Sequence, residues 1–250
     1  MSPVPYPTSL FATLSPTETA ALLTSVLERA RRVERAVVAF DLDSTLLDNR
    51  PRQARILREY GAANQLETLS SHHADQWQGW DARLAMAASG MTKELIDLHI
   101  TPFRDYWKVR FFTSEYCVDD IGMPGASAFV DKVLEAGARV FYLTGRHEAM
   151  RAGTVASFRN TSFALPDEDR VHLLMKPTVE EHDDAYKLRT YAVLREHGEV
   201  IAAFDNEPAH INGYRAAFPD ADVIHLATDH SMREIPLAAG IRSIRDFTLP

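Results

Sequence analysis

A chain of 250 residues and 28.1 kDa, 46% hydrophobic and 25% charged, is long enough to bury a full core without disulfides and too apolar to be disordered. Its one cysteine, Cys117, cannot form an internal bridge, and no apolar run approaches the roughly 20 residues of a membrane helix. With 27 basic against 35 acidic residues the net charge is −8, which disfavours holding a long polyanion but not a small anion met by a few focused cations. The start, Met1-Ser-Pro-Val-Pro-Tyr-Pro, lacks the basic and then apolar pattern of a secretory signal, so the expectation is a soluble, cytoplasmic protein with no membrane partner.

In chain order, Ser15-Pro16-Thr17-Glu18 has Ser at an N-cap, Pro at the first helical position and Glu three residues after the cap, with Ala21, Leu22, Val26 and Leu27 following at helical spacing. This predicts a helix from about Pro16 to about Val33. Ala36-Val37-Val38-Ala39-Phe40 is then a short continuous apolar run, the pattern of a parallel strand covered on both faces. Four more such runs follow, at 139–143, 171–175, 200–204 and 223–226, separated by helical patterns and by turn punctuation such as Gly137, Gly198 and Pro219. Alternating strand and helix predicts an α/β fold, a doubly wound, Rossmann-like parallel sheet. The stretch from about Arg52 to about Val118 breaks the alternation: it has helical patterns but no strand run, and predicts a helical subdomain inserted after the first strand. The expected division is a core of 1–50 and 119–250 with a helical cap of 51–118, and Met123-Pro124-Gly125 marks the return to the core.

Ligands of open α/β sheets collect beyond the carboxyl ends of the strands, so the residues just after each apolar run carry the information. These are Asp41 and Asp43 after the first run, Thr144-Gly145-Arg146 after the second, Lys176 after the third and Asp205-Asn206-Glu207 after the fourth. Two carboxylates so close repel unless a cation or a proton lies between them, and Asp205 adds a third. Carboxylates without a histidine or cysteine cluster favour a hard, oxygen-seeking ion, with Mg²⁺ the usual choice beside phosphate. A Thr hydroxyl, a Gly N–H and a lysine suit phosphate oxygens from the other side.

In order and placement, Asp41-Leu42-Asp43-Ser44-Thr45, Leu143-Thr144-Gly145-Arg146, a lysine ahead of the fourth strand and Phe204-Asp205-Asn206-Glu207 resemble the four motifs of the haloacid dehalogenase-like hydrolases, over about Ala36 to Leu47 and Met123 to Leu226. The resemblance implies a phosphatase branch. Asp41 would be the nucleophile forming an aspartyl-phosphate, and Asp43 the general acid and base. Thr144, Gly145 and the lysine would bind the phosphoryl group, and Mg²⁺ would sit on Asp41, the Asp43 main-chain carbonyl and Asp205. The family's lysine stands near the start of the helix before the last acidic motif, which fits Lys187; Lys176 is the competitor. The fourth motif departs from the commoner pair of aspartates, which leaves a metal role for Asn206 or Glu207 open.

Other candidates have plainer readings. Arg146 alone reads as an ion-pair residue, His72-His73 lacks a third metal ligand, and Cys117 reads as a small core residue. Trp77, Trp80 and Trp107 suit either packing or stacking on a substrate, while Arg83, Arg104, Lys108 and Arg110 suit either substrate charge or a solvated face. The expected activity is Mg²⁺-dependent hydrolysis of a phosphate monoester of a small metabolite. Phosphoryl transfer of the phosphomutase kind, a nucleotide or nucleic-acid end phosphatase, and a non-catalytic binding protein on the same fold are the alternatives.

Overall fold

The computed structural model describes residues 11–77, 79–167, 169–231 and 233–249; the first ten residues, on which the leader argument rests, lie outside it. The first helix, α1, spans Pro16–Arg32 and starts in a complete capping box, with Ser15 and Glu18 each satisfying the other's backbone. The five apolar runs form β1 (Ala36–Phe40), β4 (Arg139–His147), β5 (Val171–Lys176), β6 (Glu199–Asp205) and β7 (Asp222–Leu226). Together with β8 (Arg242–Ile244) they make one parallel sheet in the order β5-β4-β1-β6-β7-β8, the α/β doubly wound class that the alternation predicts.

Why these strands carry no polar alternation is visible in their packing. Ala36, Val38 and Phe40 enter one core with α1 and with α6 (Ala126–Glu135), where Phe40, Phe129, Phe204 and Phe247 meet ring to ring. Val37 and Ala39 face the opposite core with α8 (Asp183–His197) and α9 (Pro208–Ala217). With period-2 side chains and helices on both faces, every position of β1 is buried. Gly125, at φ +73°, opens α6 where a Cβ would lie 2.5 Å from the Phe247 carbonyl oxygen, so the return to the core needs glycine there.

After β1 the chain turns tightly on the Leu42 carbonyl oxygen, which accepts from Thr45, Leu46 and Leu47 N–H groups. It then forms β2 (Leu47–Asp48), which pairs antiparallel with β3 (Ile121–Gly122). Between these two short strands lie α2 (Arg50–Ala63), α3 (Glu67–Ser70), α4 (Ala82–Ala88) and α5 (Lys93–Phe111), with turns and short 3₁₀ segments but no strand among the described residues. This segment has its own apolar cluster, in which Ile56, Leu57, Leu69, Trp77, Met86 and Phe103 are buried. No helix among the described residues is long and apolar enough to cross a membrane.

Candidate active site

The strand order sets β1 between β4 and β6, so the residues after these three strands converge at one end of the sheet. Asp41 continues the ladder, its N–H donating to the Phe204 carbonyl at 2.9 Å, and Asp205 ends the neighbouring strand β6. Both carboxyls are buried and share one ammonium: Lys187 Nζ lies 2.6 Å from Asp41 Oδ1 and 2.5 Å from Asp205 Oδ2. Lys187 stands in the second turn of α8 and is itself buried. Lys176, at the end of β5, instead donates to Asp183 Oδ1 and to the Glu181 carbonyl.

Burial pushes the Asp41 carboxyl up to about 7, against the pull of Lys187. For Asp205 burial acts the same way, but Lys187 and His210 outweigh it and hold the group below the ordinary carboxylate range. Burial disfavours the Lys187 ammonium; Asp205 and Asp41 outweigh it and hold the group well above its usual value. Asp205 Oδ1 accepts from the Glu207 N–H at 2.8 Å, and His210 Nδ1 stands 3.6 Å away.

The side chain of Asp43 does not join this pair. It is gripped by two buried guanidiniums: Arg146 Nε and Nη2 reach its two oxygens at 2.9 and 2.7 Å, and Arg52 Nη2 reaches Oδ1 at 2.7 Å. Asp120, also buried, takes the remaining faces of both arginines, at 2.6 Å from Arg146 and 3.0 Å from Arg52. The group of two cations and two anions is thus neutral and largely enclosed. Burial would raise the Asp43 carboxyl, yet Arg146 and Arg52 prevail and hold it far below the ordinary range.

Thr144 and Gly145 lie inside β4, where its pairing with β5 is interrupted after Leu143 and resumes at His147. Gly145 lines the same cavity as Asp41, and a Cβ on it would sit 2.4 Å from Asp183 Oδ2, the end of a half-exposed side chain that would have to move aside. Thr144 is fully buried and lies off the cavity lining; its Oγ1 accepts the Arg146 N–H at 3.1 Å. Asn206 and Glu207 are engaged elsewhere, Asn206 with Thr45 and the Asp229 carbonyl, Glu207 with Ser231 and Arg233.

Among the described residues no three Asp, Glu, His or Cys side chains are grouped as a metal cage, and the Asp43 carboxylate is held by the arginines. Asp41 and Asp205 are what remains, with the Asp43 main-chain carbonyl as the third ligand implied by the motif resemblance. Two carboxylates on one ammonium leave an excess negative charge beside the place a phosphate would occupy. An all-oxygen donor set of that kind fits a hard divalent cation that keeps several of its waters.

Three residues of this site lay outside the sequence reading. Arg52 and Asp120 come from either end of the helical insert, and nothing local marks them. His210 stands five residues after Asp205, one turn into α9, with Nε2 2.8 Å from Asp184 Oδ1 and a buried Nδ1 that has no hydrogen-bond partner.

The aromatic residues of the insert divide. Trp77 is buried, its Nε1 donating to the Gly79 carbonyl, whereas Trp80 and Trp107 line the cavity above Asp41 and Lys187. His72 packs edge-on to Trp77 with Nδ1 2.7 Å from Ser89 Oγ, and burial lowers its pKa to about 4. Cys117 is in the core, where burial pushes the thiol up.

No protein-family model and no curated protein matches this chain. Among solved structures, it is similar to CbbY from Rhodobacter sphaeroides in complex with phosphate, 18% identical, over 86% of this chain and 95% of that one, at a TM-score of 0.51. It is also similar to Protein Tyrosine Kinase A (PtkA) of Mycobacterium tuberculosis, 15% identical over 83% and 92%, at a TM-score of 0.52. The class C acid phosphatase from Bacillus anthracis with tungstate bound matches 77% of this chain, which spans 65% of that one, at 14% identity and a TM-score of 0.41. The chain shares the α/β fold of CbbY and PtkA.

Proposed function

We propose that this protein is a phosphoric monoester hydrolase that uses Mg²⁺ and a nucleophilic Asp41 to release phosphate from a small metabolite. The observation that carries the reading is the buried Asp41–Lys187–Asp205 group at the carboxyl ends of adjacent strands, facing a cavity of about 290 Å³. A buried carboxylate held at one oxygen by an ammonium is fixed in orientation and stripped of water, as a nucleophile toward phosphorus must be. In this reading Asp41 attacks phosphorus and the ester oxygen leaves with the alcohol; water then cleaves the aspartyl-phosphate to regenerate Asp41.

Asp43, held a carboxylate at rest by its arginine pair, would take the proton of the water that cleaves the aspartyl-phosphate; in the first step the leaving oxygen would receive the proton that a phosphate monoester monoanion itself brings, relayed through Asp43. Lys187 and the Gly145 N–H would hold phosphoryl oxygens, while Thr144, whose Oγ1 accepts the Arg146 N–H, would act by bracing the end of β4. Asp41, Asp205 and the Asp43 carbonyl would hold Mg²⁺, which supplies charge neutralisation between a carboxylate nucleophile and an anionic phosphate. We take 51–118 as a cap that closes over the substrate, which suits a small molecule better than a nucleic acid. The same dyad would serve a phosphomutase, but nothing in the site favours that reading over hydrolysis.

Phosphate release from a panel of phosphorylated metabolites, with Mg²⁺ and with EDTA, tests the proposal. Metal-dependent release supports it. Release unaffected by EDTA contradicts the metal assignment, and no release from any ester contradicts the hydrolase.

A further inference from the structure

The cavity has two chemically distinct walls. Its floor is the charged group of Asp41, Lys187 and Asp205, and the wall contributed by the insert is Trp80, Trp107, Phe111 and Phe112. Trp80 stands nearly perpendicular to Trp107, at 84° and 6.4 Å between centroids, so the two indoles form a corner. Trp107 is fixed there by a hydrogen bond from Nε1 to Gln53 Oε1 at 3.2 Å and by stacking on Phe111 at 4.5 Å. Both tryptophans are only half buried and also border a second cavity of about 290 Å³, walled by Trp77 and Phe103, so aromatic surface continues away from the charged floor.

Apart from the buried His210 Nδ1, the polar side chains around the cavity are already committed. Lys187 and Arg146 are each bound to two carboxylates, and His210 Nε2 faces Asp184. Asn206 and Ser231 spend their side chains on Thr45, Asp229 and Glu207. A second anionic group on the alcohol half of a substrate would find no unpaired lysine or arginine in the lining of this cavity, where Glu207 and Asp183 add negative charge; Arg104 and Lys108, which have no ion pair, stand farther off in the lining of the second cavity. A polyol would exchange water for ring faces that accept few of its hydrogen bonds. An aromatic ring would lose only apolar hydration and gain ring contacts.

We infer that the site is built for a phosphate monoester whose alcohol half is an aromatic group, an aryl or arylalkyl phosphate, seated in the corner of Trp80 and Trp107. This rests on the phosphatase reading for the position of the phosphate. The ring preference is therefore read by binding, which does not need turnover.

Benzylphosphonate and ethylphosphonate, which cannot be hydrolysed, are titrated calorimetrically into the Mg²⁺-loaded full chain, and into Trp107→Ala and Trp80→Ala checked for folding by circular dichroism. The inference predicts roughly tenfold or tighter binding of benzylphosphonate, about 1.4 kcal/mol, and loss of most of that advantage in either folded variant. Equal affinities, including no measurable binding of either, overturn it, as does an advantage that survives in both variants. In parallel, release from benzyl phosphate, ethyl phosphate and glucose 6-phosphate, all primary-alcohol esters, should favour benzyl phosphate in kcat/KM. If glucose 6-phosphate is the best of these, the inference fails and the phosphatase reading stands. If the ring preference holds in binding and no ester is turned over, the phosphatase reading fails and the aromatic site stands.

Discussion

Asp229 ties the loop after β7 to the insert, and its ionisation should weaken the fold over a definable pH range. Its Oδ1 accepts the Gly79 N–H at 2.9 Å, while Oδ2 is buried without a hydrogen-bond partner. Burial raises its pKa from 3.8 to about 6. A raised carboxyl binds its proton more tightly folded than unfolded, so stability is highest below the unfolded pKa and falls as pH rises through the window from 3.8 to about 6. The full cost is about 3 kcal/mol at about 1.36 kcal/mol per unit, and about 1.4 kcal/mol of it is incurred between roughly pH 5 and pH 8. Asp229→Asn keeps the acceptor for Gly79 and cannot ionise. Its melting temperature minus that of the wild type should therefore grow by roughly 3–6 °C from about pH 5 to about pH 8, since about 1 kcal/mol moves a domain of this size by about 2–4 °C. Scanning fluorimetry of both proteins across this range is the assay; other titrating groups cancel in the difference. A difference that stays constant, or shrinks with pH, would refute the argument.

Lys187→Ala should abolish turnover and lower the melting temperature, because two buried carboxylates lose their shared cation, a loss of about 3–5 kcal/mol before protonation of Asp41 relieves it. Lys176→Ala should cost far less turnover, since its partner Asp183 is half exposed; equal losses in kcat would count against the assignment. Arg146→Lys cannot hold both Asp43 and Asp120 through a planar fork, and unfolding in urea should show it about 3 kcal/mol or more less stable. Gly145→Ala sets a methyl against the half-exposed Asp183 carboxylate, which must swing away from Lys176, and should raise KM with a stability loss of about 1 kcal/mol or less; an unchanged KM would count against Gly145 as a phosphate-binding residue.

The sheet was legible because it is covered on both faces: a run such as Ala36-Val37-Val38-Ala39-Phe40 has no polar position to disguise it. The first helix announced itself through Ser15, Pro16 and Glu18, whose capping box depends on four consecutive residues alone. The pair β2–β3 and the edge strand β8 were not legible, since two or three residues cannot display a period. At the candidate site, residues that follow strand ends could be read off in order, because sheet topology alone brings them together. What could not be read is how the charges pair. That Asp43 faces Arg52 and Arg146 depends on helix α2 folding back and on Asp120 returning from the far end of the insert, and neither leaves a local pattern. The same holds for Thr144, whose hydroxyl is taken by the turn of its own chain, and for His210, whose meaning comes from α8 lying alongside α9. Trp77, Trp80 and Trp107 share one composition signal, and only packing separates the first from the other two.

The central claim is that Asp41 is the nucleophile, and it is tested most directly by phosphate release from one ester at saturating Mg²⁺, with wild type and Asp41→Asn side by side. The two side chains are nearly isosteric, so Lys187 keeps an oxygen to donate to while the attacking carboxylate is gone. The account predicts a fall in kcat of roughly a thousandfold or more with an unchanged circular dichroism spectrum. A folded Asp41→Asn protein that retains wild-type-like turnover would contradict it.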